Sequence, residues 1–358
     1  MSFVRSLVES GECSRPELIG FLERVESGAA SRSEVAAVLT ALAIHPQRGS
    51  TLRDFVAYLR EREPPKTLRA AQSAVNIVGT GGGFATFNIS TTAAFVASAA
   101  GARVLKSGSG AYSSRCGSWD VLRALEIPCI DDPVTLSTAL EELGIAFIGP
   151  RSYPRLITRL AIKVAPLELR DCGAFVNRVG ALLFPYQVAA QLTGVGAEEQ
   201  IESFSEVLQQ SPGRHLLVHA SLGIDELCSL GENQLCWIDG GRVDRQLYRP
   251  SSSRPASPSD LERLRGGDPS ENALILSEVL EGRRDGPALE TVLLNAGAML
   301  ALAGLSRTLS GGAEMARGAI QDGRAASQLE RVRAWFAGAS GVAAGRTGTA
   351  SRSIRRIL

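Results

Sequence analysis

Asn76-Ile77-Val78-Gly79-Thr80-Gly81-Gly82-Gly83-Phe84-Ala85-Thr86-Phe87-Asn88-Ile89-Ser90-Thr91-Thr92 joins an apolar run to a glycine-rich turn and then to a group of hydroxyls. The Val and Ile residues up to Val78 suit a short buried strand. The turn Gly79 to Gly83 is almost free of side chains, so its N–H groups can approach an anion and its backbone can take positive φ at little cost. The Ala-rich stretch from Ala93 to Ala100 predicts a helix with Asn88, Ser90, Thr91 and Thr92 around its first turn. A helix start with free N–H groups and hydroxyls is a ready phosphate site. The bland alternative is a loop that merely turns the chain, since the pattern is neither GxxxxGK[ST] nor a GxGxxG with a following acid.

Working outward, Arg103-Val104-Leu105 reads as the next strand, followed by the polar loop from Lys106 to Asp120 with two cations, five serines and three glycines. Two anion-friendly loops after neighbouring strands point to one polyphosphate ligand held between them, against the simpler reading of a flexible Ser/Gly surface loop. Strands and helices alternate from about residue 74, the mark of an α/β domain with a mainly parallel sheet. Asp239-Gly240-Gly241 signals a hairpin between Cys236-Trp237-Ile238 and Val243-Asp244-Arg245. Cys129-Ile130 reads as a short strand, residues 311–335 as one helix, and Arg249 to Pro258 as a loop. Ahead of this domain, residues 2–62 have apolar residues at helical spacing throughout, and Pro64-Pro65 opens a linker. The expected organisation is a small helical domain over 1–66, with the segment around 173–186 packing back on it, an α/β domain over 72–337, and a disordered tail over 338–358.

The chain has 358 residues, 44% of them hydrophobic, and a net charge of +1. That balance gives no global pull towards nucleic acid or an anionic membrane. No apolar run approaches a membrane span. Six cysteines without CxxC spacing or a signal peptide read as reduced cytoplasmic thiols. Lys66, Lys106 and Lys163 are the only lysines, which makes Lys106 conspicuous in an Arg-dominated chain. Asp225-Glu226, after the predicted strand His215 to His219, is a pair of carboxylates suited to Mg²⁺, though a capping pair on a helix start is the commoner meaning of such a dipeptide.

Taken together, the GTGG run from Gly79, TFNIST from Thr86, Lys106, Ser113-Ser114 and Gly117-Ser118-x-Asp120 resemble the anthranilate phosphoribosyltransferase family, over about residues 5 to 335. The resemblance implies an all-α domain plus a larger α/β domain with a central mixed, mainly parallel sheet, a fold shared with nucleoside phosphorylases. It implies that Gly79, Thr80, Gly81, Gly82, Gly83, Thr86, Asn88, Ile89, Ser90, Thr91, Lys106, Ser113, Ser114 and Ser118 bind phosphoribosyl pyrophosphate (PRPP). It further implies that Asp225 and Glu226, with Ser90, hold Mg²⁺, and that the small domain carries a homodimer contact. Lys106, Asp225 and Glu226 are then the catalytic set. Lys106 is expected at a strand end, outside the core. No nucleophile is needed, because the protein has only to align the partners and neutralise the leaving pyrophosphate.

Three positions depart from the family pattern. Gly83 replaces an acid, Ser107 to Gly110 replace His-Gly-Asn-Arg, and Glu168 stands near the Arg that holds the anthranilate carboxylate, with Arg170 close by. Ser107, Ser109, Glu168 and Arg170 are therefore the expected acceptor contacts, and their charge favours a neutral or cationic amine or hydroxyl compound over anthranilate. Authentic anthranilate transfer is one alternative. A catalytically silent relative that binds nucleic acid is another, weakened by the near-neutral charge and by the retained Lys106 and Asp225-Glu226.

Overall fold

The computed structural model describes residues 3–11, 13–44, 49–81, 83–110, 116–164, 167, 172–250 and 256–344. Four helices come first: α1 (Phe3–Ser10), α2 (Arg15–Ser27), α3 (Arg32–Ile44) and α4 (Gly49–Arg62). Their limits follow local chemistry. Ser14 and Glu17 form a capping box at the start of α2, and Gly28 ends it at φ 83°.

The sheet is built from β1 (Val75–Gly79), β2 (Val104–Lys106), β3 (Ile145–Phe147), β4 (Ala190–Gly194), β5 (Arg214–Ala220), β6 (Asn233–Asp239) and β7 (Arg242–Tyr248). Its order is β3-β2-β1-β4-β5-β6-β7. The first five strands in that order run parallel, and β6 and β7 are antiparallel. The hairpin between β6 and β7 turns on Gly240 and Gly241, both at positive φ, as a two-residue turn matched to strand twist requires. Cys129-Ile130, expected as a strand, makes only an isolated bridge from Ile130 to Ile148.

Between and after the strands lie α5 (Ile89–Ala99), α6 (Ser118–Ala124), α7 (Pro133–Leu143), α8 (Arg155–Val164), α9 (Ala174–Leu182), α10 (Gln200–Leu208), α11 (Pro258–Leu264), α12 (Pro269–Leu280), α13 (Gly286–Leu302), α14 (Leu309–Gln321) and α15 (Arg324–Ala344). The single helix expected over 311–335 is two, because Gly323 takes φ 78° and turns the chain. The second of them runs on to Ala344, so residues 338–344 are helical; the rest of the expected tail, 345–358, lies outside the described residues.

The two faces of the sheet are covered differently. On one, α5, α7 and α12 to α15 pack around Ile77, Val104, Leu192 and Leu216. On the other, α1 to α4 share one core with α8, α9 and α10 and with Val195, Leu217, Cys236 and Ile238 of the sheet side. Phe55 of α4 meets Phe175 of α9 edge-on, with ring centroids 5.1 Å apart. The N-terminal helices therefore have no core closed to the rest of the chain.

The tightest helix pair is α13 against α14. A Cβ on Gly297 would lie 2.5 Å from the Ala313 nitrogen, and one on Gly312 would lie 2.3 Å from the Gly297 carbonyl oxygen. Gly297→Ala is expected to lower stability by about 1–3 kcal/mol through overpacking. Gly318→Ala on the outer side of α14, where a Cβ meets nothing within 4 Å, is expected to be neutral or stabilising. Urea midpoints of the two variants check this; equal midpoints would mean that the helices can move apart.

Candidate active site

Open α/β sheets bind ligands outside the carboxyl ends of their strands, where the strand order reverses. Here that point lies between β1 and β4, since the chain passes from β1 to β2 and β3 on one side and places β4 and β5 on the other. Gly79 and Gly194 face each other at the two strand ends. Between them sits Asp225. A Cβ on Gly79 would fall 2.1 Å from Asp225 Oδ2, and one on Gly194 would fall 1.5 Å from the Asp225 carbonyl oxygen. Both glycines are needed to admit this residue, and Gly194 carried no motif that would have singled it out.

Asp225 Oδ2 accepts a 2.6 Å hydrogen bond from the Gly81 amide, at φ 66° for Gly81. The first glycine-rich loop and the carboxylate pair are thus one structure. Glu226 lies alongside, 9% exposed, with its Oε2 buried and unpartnered by the protein. Burial raises both carboxyls. Glu226 stands well above the usual range, pushed first by desolvation and then by Asp225, with Lys106 opposing.

Lys106 ends β2, as expected, but it is also buried at 3% exposure, which corrects the expectation of a residue outside the core. Its Nζ donates to the carbonyls of Ile77 at 3.0 Å and Ser107 at 3.1 Å. A lysine has three such donors, so one remains for a ligand. Burial pulls its pKa down to about 8, with Glu226 foremost among the groups holding it up. The sequence places the cation correctly and conceals its burial, because a lysine after two apolar strand residues reads as a solvent-facing end.

The other expected residues divide. Thr80 is buried, and its hydroxyl accepts from Gly196 N. Thr86 bridges to Arg265. Asn88 stands at the N-cap of α5 without capping it; its Oδ1 accepts instead from Asn272 Nδ2 at 2.9 Å. Ser90 lies in the first turn of α5, partly exposed. Ile89 is wholly buried, so only its backbone could serve a ligand, and its N–H already donates to Phe87 O at 2.7 Å. Thr91 is buried too, with its hydroxyl unpartnered. Ser118 Oγ accepts from Ser109 N, folding the second loop on itself. Ser107, expected at the acceptor, is buried and donates through both N and Oγ to Asn76 Oδ1. Ser109 is exposed. Gly82, Ser113, Ser114, Glu168 and Arg170 lie outside the described residues.

Gly83 has a steric reason. A Cβ there would lie 1.8 Å from Gly223 O, in the turn that carries Asp225. Restoring the family's acid with Gly83→Asp is therefore expected to push that turn, and Asp225 with it, away and to lower turnover, at a stability cost of about 1–3 kcal/mol from overpacking. Steady-state kinetics of the variant checks it; higher activity would show that the missing acid is a loss the chain tolerates.

Four side-chain amides, those of Asn76, Asn272 and Asn295 buried and that of Asn177 half-buried, hold the loops in place. Asn295 of α13 clasps the peptide of Leu227, accepting from its N–H at 3.1 Å and donating to its carbonyl at 2.8 Å. Asn76 fixes Ser107, Asn272 fixes Asn88, and Asn177 of α9 donates to Thr80 O. The available signal was a lone amide within an apolar helix, as at Leu293-Leu294-Asn295-Ala296, which can only be there if its partners are buried with it.

The switch point, with the Gly81 amide, one buried lysine and two carboxylates, is suited to a phosphorylated ligand and a hard divalent cation. The fold belongs to a class of group-transfer enzymes: a family model described as "Glycosyl transferase family, a/b domain" matches residues 71–326. The anthranilate phosphoribosyltransferase of Thermomicrobium roseum is 39% identical over 327 residues, covering 88% of this chain and 91% of that protein. That of Chloroflexus aggregans is 33% identical over 92% of this chain and 96% of its own. The crystal structure of the anthranilate phosphoribosyltransferase from Thermus thermophilus superposes with a TM-score of 0.76 at 30% identity, over 93% of this chain and 99% of that one. The Saccharomyces cerevisiae structure in complex with PRPP and Mg shares the fold at TM-score 0.73 and 21% identity, over 92% and 96%. The chain belongs to the anthranilate phosphoribosyltransferase family, and its chemistry is phosphoribosyl transfer.

Proposed function

We propose that this chain transfers the 5-phosphoribosyl group of PRPP to anthranilate. The similarity to anthranilate phosphoribosyltransferases along nearly the whole chain carries this reading. The C1–O bond to pyrophosphate breaks, a C1–N bond to the amine forms, and the amine loses a proton. Lys106 and the loop N–H groups take up charge on the leaving pyrophosphate. Asp225 and Glu226, whose buried oxygens include the unpartnered Oε2, fit a Mg²⁺ ion as hard oxygen ligands. When bound, that ion would neutralise the leaving group.

The acceptor expected from the sequence was not anthranilate, and the relatives favour anthranilate. A physical reason supports the change. Ser107 spends its hydroxyl on Asn76, so the exchange of His for Ser alters packing and does not by itself build a cationic-acceptor site. A second reading, transfer to a neutral or cationic amine, rests on Gly110, where the family has an arginine and where a Cβ would meet no atom of the described residues within 4 Å. Incubation with PRPP, Mg²⁺ and either anthranilate or a panel of uncharged and cationic amines separates the two. Loss of anthranilate fluorescence is the expected result; pyrophosphate release with the other amines alone would favour the second reading.

We also propose a homodimer through the helical layer. Val8, Ile44 and Ile162 are 55%, 71% and 59% exposed, and α3 packs on both α1 and α8, so these apolar side chains share one layer. Light scattering should give twice the chain mass. No described helix is long and apolar enough to cross a membrane.

A further inference from the structure

The chain after Glu226 is buried without a ladder of its own. Leu227 and Cys228 are wholly buried, Ser229 and Leu230 nearly so, and residues 225–230 lie in neither a helix nor a strand. Buried backbone groups need partners, and here the partners are side chains. The N–H of Leu227 donates to Asn295 Oδ1 at 3.1 Å, that of Cys228 to Asn233 Oδ1 at 2.7 Å and that of Ser229 to Thr291 Oγ1 at 3.1 Å. In return Asn295 Nδ2 donates to Leu227 O at 2.8 Å, and Asn233 Nδ2 to Cys228 O at 2.9 Å.

These bonds fall on three consecutive peptide units. Asn295 holds the N–H of the unit between Glu226 and Leu227. The next unit is gripped by Asn295 at its carbonyl and by Asn233 at its N–H. The third is gripped by Asn233 at its carbonyl and by Thr291 at its N–H. Because each unit is planar, the bonds limit ψ of Glu226 and both dihedrals of Leu227 and Cys228. The holders come from two elements and are wholly buried: Asn233 opens β6, and Asn295 and Thr291 lie on α13. A further bond from Asn295 Nδ2 to Thr291 O at 2.8 Å fixes the amide of Asn295 itself.

Glu226 has the greater need of such support. The side chain of Asp225 is anchored by the Gly81 N–H, whereas Glu226 Oε2 has no protein partner, so the backbone is what places it. We propose that Asn295 and Asn233 are positioning residues for the transfer reaction. They hold the peptides after Glu226 so that its carboxylate meets the metal without rearrangement. The proposal rests on the reading of Asp225 and Glu226 as the Mg²⁺ pair. Groups that orient a metal ligand typically contribute about 10- to 100-fold to metal affinity.

Calorimetry of PRPP binding across a Mg²⁺ series tests this, with urea midpoints and the anthranilate KM measured alongside. Asn295→Leu removes the clasp and keeps its volume. It is expected to raise the Mg²⁺ concentration for half-maximal PRPP binding by about 10- to 100-fold, with the anthranilate KM at saturating Mg²⁺ unchanged. Val292→Ala, a wholly buried change on the same helix that removes no hydrogen bond, should lower the urea midpoint and keep the parental Mg²⁺ requirement. Asn233→Ser should act as Asn295→Leu does, and stands in for it where the leucine variant does not fold. Hydrogen exchange on the ligand-free parent needs no variant: the amides of Leu227 and Cys228 should be protected before Mg²⁺ or PRPP is added. Free exchange at those amides until the ligands bind, a parental Mg²⁺ requirement in the asparagine variants, or an equal rise in Val292→Ala overturns the positioning role and leaves the metal reading standing. Equal PRPP affinity of the parent in EDTA overturns the metal reading, and the proposal with it.

Discussion

Lys106→Met is expected to remove most productive use of PRPP while keeping the chain folded. The lysine is buried, with two of its donors on backbone carbonyls and its charge beside Glu226 and Asp225. Methionine keeps the stem and its packing; alanine would leave a void beneath two carboxyls. Loss of a charge-assisted contact to phosphate in a desolvated site costs about 2–5 kcal/mol, or roughly 30- to several-thousand-fold in kcat/KM for PRPP. The parent should show a further signature. Lys106 is charged below its pKa of about 8 and neutral above it, so kcat/KM for PRPP should fall as pH rises through that value, and this limb should be missing from Lys106→Met. A variant with parental kcat/KM would remove Lys106 from the reaction.

The second large effect concerns the metal. Asp225 already accepts the Gly81 N–H that a phosphate would seek, and Glu226 stands next to it. Without a cation, PRPP must displace one carboxylate and approach two. Removing divalent ions with EDTA is therefore expected to reduce PRPP affinity by at least about 100-fold, on the scale of breaking a buried charge pair at roughly 3–5 kcal/mol. Glu226→Gln should raise the Mg²⁺ concentration needed for half-maximal rate without changing the affinity for anthranilate. Calorimetry of PRPP binding with and without Mg²⁺ decides it: equal affinity in EDTA would leave the carboxylates with a purely structural part.

What the sequence disclosed and what it hid have physical causes. The glycine-rich loop, the strand before it and the hairpin at Gly240-Gly241 were readable because each is a local matter of φ and side-chain absence. Asp225-Glu226 was visible as a pair, yet its bond to Gly81 joins residues far apart in the chain, and no local pattern encodes that. Lys106 reads correctly as a strand end and wrongly as solvent-facing, since burial depends on which strands become its neighbours. The break between α14 and α15 escapes a reading by pattern although Gly323 marks it, because apolar periodicity runs straight through. At the acceptor the difficulty was of another kind. Counting charges at residues 107–110 took each side chain as facing the ligand, whereas Ser107 faces Asn76.

The core that α1 to α4 share with the far side of the sheet bears on how the chain is made. The first four helices leave the ribosome long before Leu217, Cys236 and Ile238, against which their apolar faces close. At about 5–20 residues per second, the wait from residue 62 to residue 238 is roughly 10–35 s. Until α8 and α9 emerge, Phe21, Leu39 and Phe55 have only the apolar residues of α1 to α4 for cover, and the core stays incomplete until the sheet residues follow. Nascent chains of this protein should accordingly engage holdase chaperones from their N-terminal quarter onward and release them only after the β5–β6 hairpin has been synthesised.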